Sequence, residues 1–489
     1  MQETLAQYSK ILRDDFLRDD FLREDYRSFG LRKYDAKELL EKTLDDLESA
    51  KTKENVEEFL FWFFEIASQI DPIEGYEIPV ICANGEIKNA NECYFGVDFD
   101  NEFGAKIISS FSQNFVANLE GFKDKHTLKE FYKRLGVAEF PRILPNKLQS
   151  EFVGKNNEIT EEYLSFMCEG RDEIVAKHDD KEEKISLPCE IKVDELVVDS
   201  VEKFDEILAT LSFEDIILWI YKDNNLRNHI AKSSPSSFLK FTFYKKISSR
   251  HISHKDLPSF IKYQISRANW IKIDDEKVAP NACCLQERLN LEPLLHTPKI
   301  NYKKFKEEFS INQNEIKKIL VEVGVAERFT DLSFAKQYEI AKQLHTLEKG
   351  SEIAPKIYSL MASNDEKVSD KIREDFKKFG RVLVKANNEK HFVPVLQAFW
   401  ADKRKFGANI LRDFNIFDIS GVGAKKVEAV FGVNSLDLEI KDLKLEKFER
   451  VSEDMQREFE KKFNDLSLIY YLKDTIIKAL KRISSFLKA

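Results

Sequence analysis

Apolar residues recur at spacings of three and four through "LKEFYKRL" (128–135) and "IKKILVEV" (316–323), and each run ends in the letters Gly-Val-Ala-Glu. Leu128, Phe131, Tyr132 and Leu135 in the first run match Ile316, Ile319, Leu320 and Val323 in the second, at a constant offset of 188 residues. That spacing predicts two helices, each with one apolar face. The glycine after each run suits a helix C-terminal cap, where a left-handed residue costs least.

The likeness extends upstream. "PVICANGEIKNANECYFG" (79–96) and "WIKIDDEKVAPNACC" (270–284) each read as a short strand, a turn, a second short strand and an Asn-x-Cys element. Asn84-Gly85 between apolar runs is a two-residue hairpin signal, and Asp274-Asp275 stands at the matching place. Helical patterns precede both hairpins, in "VEEFLFWFFEIAS" (56–68) and "LPSFIKYQISRA" (257–268). A more diverged third copy runs from "KIREDFKKFG" (371–380) through "RVLVKANNEKHFVPV" (381–395), with Asn387-Asn388 at the turn, to "EAVFGVNSL" (428–436). The expected unit is therefore helix, β-hairpin, irregular segment, helix and Gly-Val close, repeated along a modular chain.

The expected fold class is α+β, predominantly helical, in three segments. Residues 1–150 hold N-terminal helices and the first unit, 151–345 a charged connector and the second unit, and 346–489 the third unit and C-terminal helices. "AKHDDKEEKIS" (176–186) is the most polar part of the expected exposed connector, 150–195. Near the N-terminus "LRDDFLRDDFLREDY" (12–26) repeats a short motif whose five-residue step does not keep Phe16, Phe21 and Tyr26 on one helical face. It reads as a tandem duplication in a surface helix. The last stretch, 473–489, has Ile477, Leu480, Ile483 and Leu487 along one side, as does any terminal helix packed on its own domain.

Composition supports this reading. The chain is 43% hydrophobic and 33% charged, enough apolar residues for real cores under a charged surface. Only 16 Gly and 12 Pro among 489 residues favour helices with short connections. The net charge of −9 gives no overall electrostatic drive toward nucleic acid or an anionic membrane. The longest apolar run, "FLFWFFEIA" (59–67), is too short to span a bilayer, so no membrane span is expected. Six cysteines without CxxC spacing point to reduced thiols and a cytoplasmic setting.

Two motifs invite chemistry. "DISGVGAKKVEAVFGV" (418–433) resembles the helix-hairpin-helix turn of DNA-binding proteins, whose backbone amides bind a phosphate. Gly421, Gly423, Lys425 and Lys426 would be the nucleic-acid contacts, against the plain alternative of a tight turn before a helix. "HISH" (251–254) with Cys283 and Cys284 could be drawn as a zinc set, but adjacent cysteines hold a tetrahedron poorly, and core positions fit them better. No nucleotide loop, nucleophile elbow or metalloprotease helix is readable, so no catalytic residue, metal or cofactor is expected.

The phrases "YEIPVICANGEIKNANECYFG" (76–96), "FYKRLGVAE" (131–139) and "VPVLQAFWADKRKF" with its "FGVNSL" close (393–436) resemble the region downstream of the ATPase domain in bacterial and plant relatives of sacsin and NO VEIN. Such proteins carry an Hsp90-like GHKL ATPase at the front. The resemblance covers residues 56–145 and 250–440, and it puts Gly421 and Gly423 inside a sacsin-like unit. The Asn/Glu-bearing helix and the Asp-x-Gly-x-Gly motif of a GHKL ATP site are not readable, so no ATP-site residue carries over. The implied role is a non-catalytic scaffold or protein-interaction body, chaperone-like or acting in defence against foreign DNA. Its expected partner is a protein, such as a GHKL ATPase encoded nearby. The alternative is a DNA-binding accessory protein using the turn at 421–423.

Overall fold

The computed structural model describes residues 36–67, 70, 75–122, 124–149, 155–169, 173–178, 181–186, 193–231, 239–245, 248–252, 257–286, 289–364, 370–402, 411–412 and 414–436. The motif at 12–26 and the stretch 473–489 lie outside them. The fold is α+β and predominantly helical, with small sheets. The chain divides into two compact units: Met1–Thr160 with Lys192–Ile261, and Glu161–Ile191 with Lys262–Ala489.

Three stretches of the chain, the three frames, each contain a hairpin, a 3₁₀ turn and a later helix. In the first unit the helix Lys53–Ile66 starts at Thr52, whose hydroxyl accepts from the Asn55 amide. The hairpin Pro79–Ile81/Ile87–Asn89 follows, closed by a turn in which Gly85 takes φ +81°. A 3₁₀ turn, Ala90–Glu92, then delivers the short segment Cys93–Phe95. Tyr94 N donates to Asn114 O at 2.8 Å and Phe95 N to Ala138 O at 2.9 Å, so this segment is flanked on both sides by parallel neighbours. The helix Lys125–Arg134 leads to the second flank through Gly136, at φ +97°. No L-residue adopts that backbone without strain, which is why glycine stands there.

The second frame has the hairpin Ile271–Ile273/Glu276–Val278, the 3₁₀ turn Pro280–Ala282 and the central segment Cys283–Leu285. Cys284 N donates to His296 O at 2.8 Å and Leu285 N to Ala326 O at 2.8 Å, after the helix Gln313–Glu322 and Gly324 at φ +109°. The third has the helix Asp370–Phe379, the hairpin Arg381–Ala386/Glu389–Pro394 and the 3₁₀ turn Val395–Gln397. Asn387 and Asn388 both take positive φ in its turn, as a two-residue hairpin requires. Phe399 N donates to Asn415 O at 2.9 Å, and Phe399 and Trp400 pair in parallel with Asn434 and Ser435, beyond the helix Ala424–Phe431 and Gly432 at φ +66°.

Aromatic packing holds the frames. In the first, Phe59, Phe63 and Tyr132 are fully buried, with Phe63 edge-on to Phe131 at 6.0 Å. Each such ring stabilises by roughly 1.5–3 kcal/mol through burial alone. In the second unit one core joins Cys284 and Phe329 to Tyr338, Tyr358, Val384, Phe417 and Phe431. Tyr358 rests 4.9 Å from Phe417 and its hydroxyl accepts from the Leu383 amide at 3.1 Å.

The first unit also contains a four-stranded antiparallel sheet in which Ile143–Gln149 and Leu239–Lys245 flank Val193–Val201, and Ser248–Ile252 forms the far edge. The expected connector is partly structured: Glu158–Cys168 is a helix, and Glu173–His178 pairs with Lys181–Ser186 as a hairpin. Its charge density hides the β-favouring Ile174-Val175 and the alternation of Lys184-Ile185-Ser186.

Candidate interaction surface

The third frame exposes what its counterparts keep polar. In the helix Asp370–Phe379 only Phe376 is buried, and the helix ends on Phe379, which is 64% exposed. The ladder that pairs Arg381 with Pro394 runs one step further, through a Val395 N to Gly380 O bond of 3.1 Å. Phe379 precedes Gly380 in this pairing and Leu396 follows Val395, and Leu396 is 59% exposed. Leu396 is the middle residue of the 3₁₀ turn, where the other two frames have Asn91 and Asn281. The Lys378 ammonium lies 5.0 Å from the Phe379 ring centre, and Arg381 is exposed next to it. Two large apolar side chains exposed to water, one of them beside a lysine ammonium, are features of a surface suited to a protein partner.

The turn named for phosphate binding lies in the same frame. Gly421 takes φ +75°, and Gly423 precedes the helix Ala424–Phe431 without a side-chain cap. The Trp400 indole donates to Val422 O at 3.0 Å, and Lys426 Nζ donates to Asn364 O at 2.7 Å. Gly421, Gly423 and Lys425 are each exposed, while the Lys426 ammonium is engaged inside its own unit.

Cys283 and Cys284 are buried, with thiols near the carbonyls of Ala279 and Glu327, and burial pushes Cys283 up to about 12. His251 lies in the strand Ser248–Ile252, and His254 is outside the described residues. Among the described residues no group of three His, Cys, Asp or Glu could hold a metal ion, and no helix is long and apolar enough to cross a membrane.

Two charged clusters in the first unit escaped sequence reasoning, because their members are far apart in the chain. Tyr94 donates to Glu202 at 2.7 Å beneath the Arg142 guanidinium, 4.3 Å from the ring centre. Arg142 in turn donates to Cys93 O at 2.5 Å and Gly136 O at 3.1 Å, tying the central segment to the closing glycine. Burial pushes the Tyr94 hydroxyl up, so it stays a donor. This is a structural clamp.

In the second cluster, His229 Nε2 lies 3.8 Å from Asp199 Oδ2, and burial raises the Asp199 carboxyl against an opposing pull from His229. A raised carboxyl binds its proton more tightly folded than unfolded. Its contribution to stability is therefore full below the unfolded pKa and lost as pH rises through the folded one. Asp199→Asn should gain melting temperature relative to wild type as pH rises above about 4, the range of an unfolded aspartate. Paired thermal melts showing a pH-independent gap would refute this.

No protein-family model matches the chain, no curated protein is similar to it, and no solved structure matches it.

Proposed function

We propose that the chain is a non-catalytic protein-interaction body built from three copies of one frame. On this reading it is related to the part of sacsin-like Hsp90-type ATPases that follows the motor, and it works in the cytoplasm beside a GHKL ATPase partner. The observation that carries the reading is the exposure of both Phe379 and Leu396 in a stretch whose two counterparts show asparagine at the turn. Leaving such side chains in water forgoes roughly 1.5–3 kcal/mol each, which a partner recovers on binding. The "ECYF" and "LGVAE" phrases at 92–95 and 135–139 supply the family part of the proposal. A chaperone-like role or one in defence against foreign DNA follows from that kinship alone.

The test is a pull-down of the tagged chain from its native cells, with and without nuclease, using wild type and Phe379→Glu with Leu396→Glu. Recovery of a GHKL ATPase by wild type regardless of nuclease, with at least about tenfold less by the double variant, is expected. Recovery of nucleic acid alone, abolished by nuclease and weakened by Lys425→Glu, would replace this reading with the DNA-binding one.

A further inference from the structure

The three frames differ at the residue where the central segment ends. By their hydrogen bonds Phe95, Leu285 and Trp400 are equivalent, as are Ala138, Ala326 and Asn434. Counting back from the closing glycine places Lys129, Lys317 and Lys425 at one position of the closing helix. In the first frame this pair is in contact: the Lys129 ammonium lies 5.4 Å from the Phe95 ring centre. Phe95 is fully buried and edge-on to Phe99 at 5.3 Å. The same ammonium donates to Phe99 O at 3.2 Å and meets the Glu139 carboxylate at 2.8 Å. An aromatic ring, a carbonyl and a carboxylate thus satisfy one lysine. In the third frame the equivalent residue is again aromatic, and Trp400 is anchored by its bond to Val422 O.

The second frame has the lysine without the ring. Leu285 is half-buried at the rim of a cleft of about 620 Å³ that Lys317 also lines. Pro298, Ile300 and Tyr302 supply apolar surface and Lys299 a second ammonium, with no carboxylate in the lining. Lys317 is exposed and makes no ion pair among the described residues. Lys299 pairs with Asp274 at 2.5 Å, but both side chains are more than 70% exposed, so an incoming carboxylate can exchange with Asp274 at little cost. The cleft lacks the glycine-rich loop and arginine fork that gather a phosphate, and its two lysines share an open groove with apolar side chains and with the uncharged polar Thr297, Asn301 and Gln313.

We infer that this cleft binds an acidic segment of a partner protein through an aromatic residue, whose ring takes beside Lys317 the place that Phe95 takes beside Lys129. Carboxylates flanking that aromatic meet Lys317 and Lys299, as Glu139 meets Lys129. Phe379 and Leu396 take no part, so this site and the interaction-body reading can fail separately.

The probe is a fluorescein-labelled peptide, Ser-Asp-Glu-Phe-Glu-Ser, read by anisotropy against the full chain, with the Phe-to-Ala peptide as control. Wild type should prefer the Phe peptide by about tenfold, the size of one desolvated cation–ring contact. Leu285→Trp, which places a ring of the chain itself at the cleft, should lose at least that factor. Lys317→Glu, at an exposed position that folding does not depend on, should lose as much, while Lys317→Arg retains binding. Absence of saturable binding by wild type, equal affinity for the two peptides, or unimpaired binding by Lys317→Glu would each overturn the inference.

Discussion

Replacing Arg142 by methionine is expected to lower the free energy of unfolding by about 3 kcal/mol, within the range for breaking one side of a desolvated charged network. The guanidinium is only 13% exposed and donates to the carbonyls of Cys93 and Gly136 while covering the Tyr94 ring. Methionine fills much of the volume but offers no N–H, so two carbonyls lose their donor, and Glu202 loses the cation 4.0 Å away while keeping its bonds from the Tyr94 hydroxyl and the Arg142 backbone amide. Adding Glu202→Gln should recover part of the loss, because the stranded carboxylate is then neutral. Urea unfolding monitored by tryptophan fluorescence measures both variants. A change below about 0.5 kcal/mol would mean that the clamp is ornamental.

The other large effect is expected at Trp270, at the start of the second hairpin. Its side chain is fully buried, and its indole donates to Ile265 O at 2.8 Å. Trp270→Ala should cost about 4 kcal/mol from lost burial and the cavity left behind. Trp270→Phe keeps most of the ring and loses the hydrogen bond, so about 1 kcal/mol beyond the volume change is expected there. Equal losses for the two substitutions in chemical denaturation would contradict this division between packing and hydrogen bonding.

Much of the helix and hairpin content was legible in the sequence, for local reasons. Asn387-Asn388 specifies a two-residue turn through the left-handed residues it tolerates, and that turn forms; at Asn84-Gly85 only Gly85 is left-handed, and the Cys82 N to Glu86 O bond closes a loop of three residues, not two. The apolar faces of 128–135 and 316–323 are spaced for helices, and the glycines after them take the positive φ that a cap demands. The central segments were not legible. Cys93–Phe95 is too short to show a period, and its neighbours Asn114 and Ala138 lie far along the chain. The exposure of Phe379 and Leu396 was hidden as well, since it depends on how the helix end and the 3₁₀ turn flank the Val395 N to Gly380 O bond. Likewise, the offset of 188 already sets Lys317 level with Lys129, but it reads as one more surface lysine until the structure places Lys129 over the Phe95 ring.

The order in which the frame's strands leave the ribosome has its own consequence. The middle segment emerges first, its near flank next, and its far flank only after the closing helix and the glycine behind it. Until Ala138, Ala326 or Asn434 is delivered, each nascent frame presents an unpaired strand edge to whatever is nearby. The interval of greatest exposure to mispairing therefore ends, three times per chain, at a Gly-Val step. A message cut short of Ser435 would yield a protein whose last frame never closes.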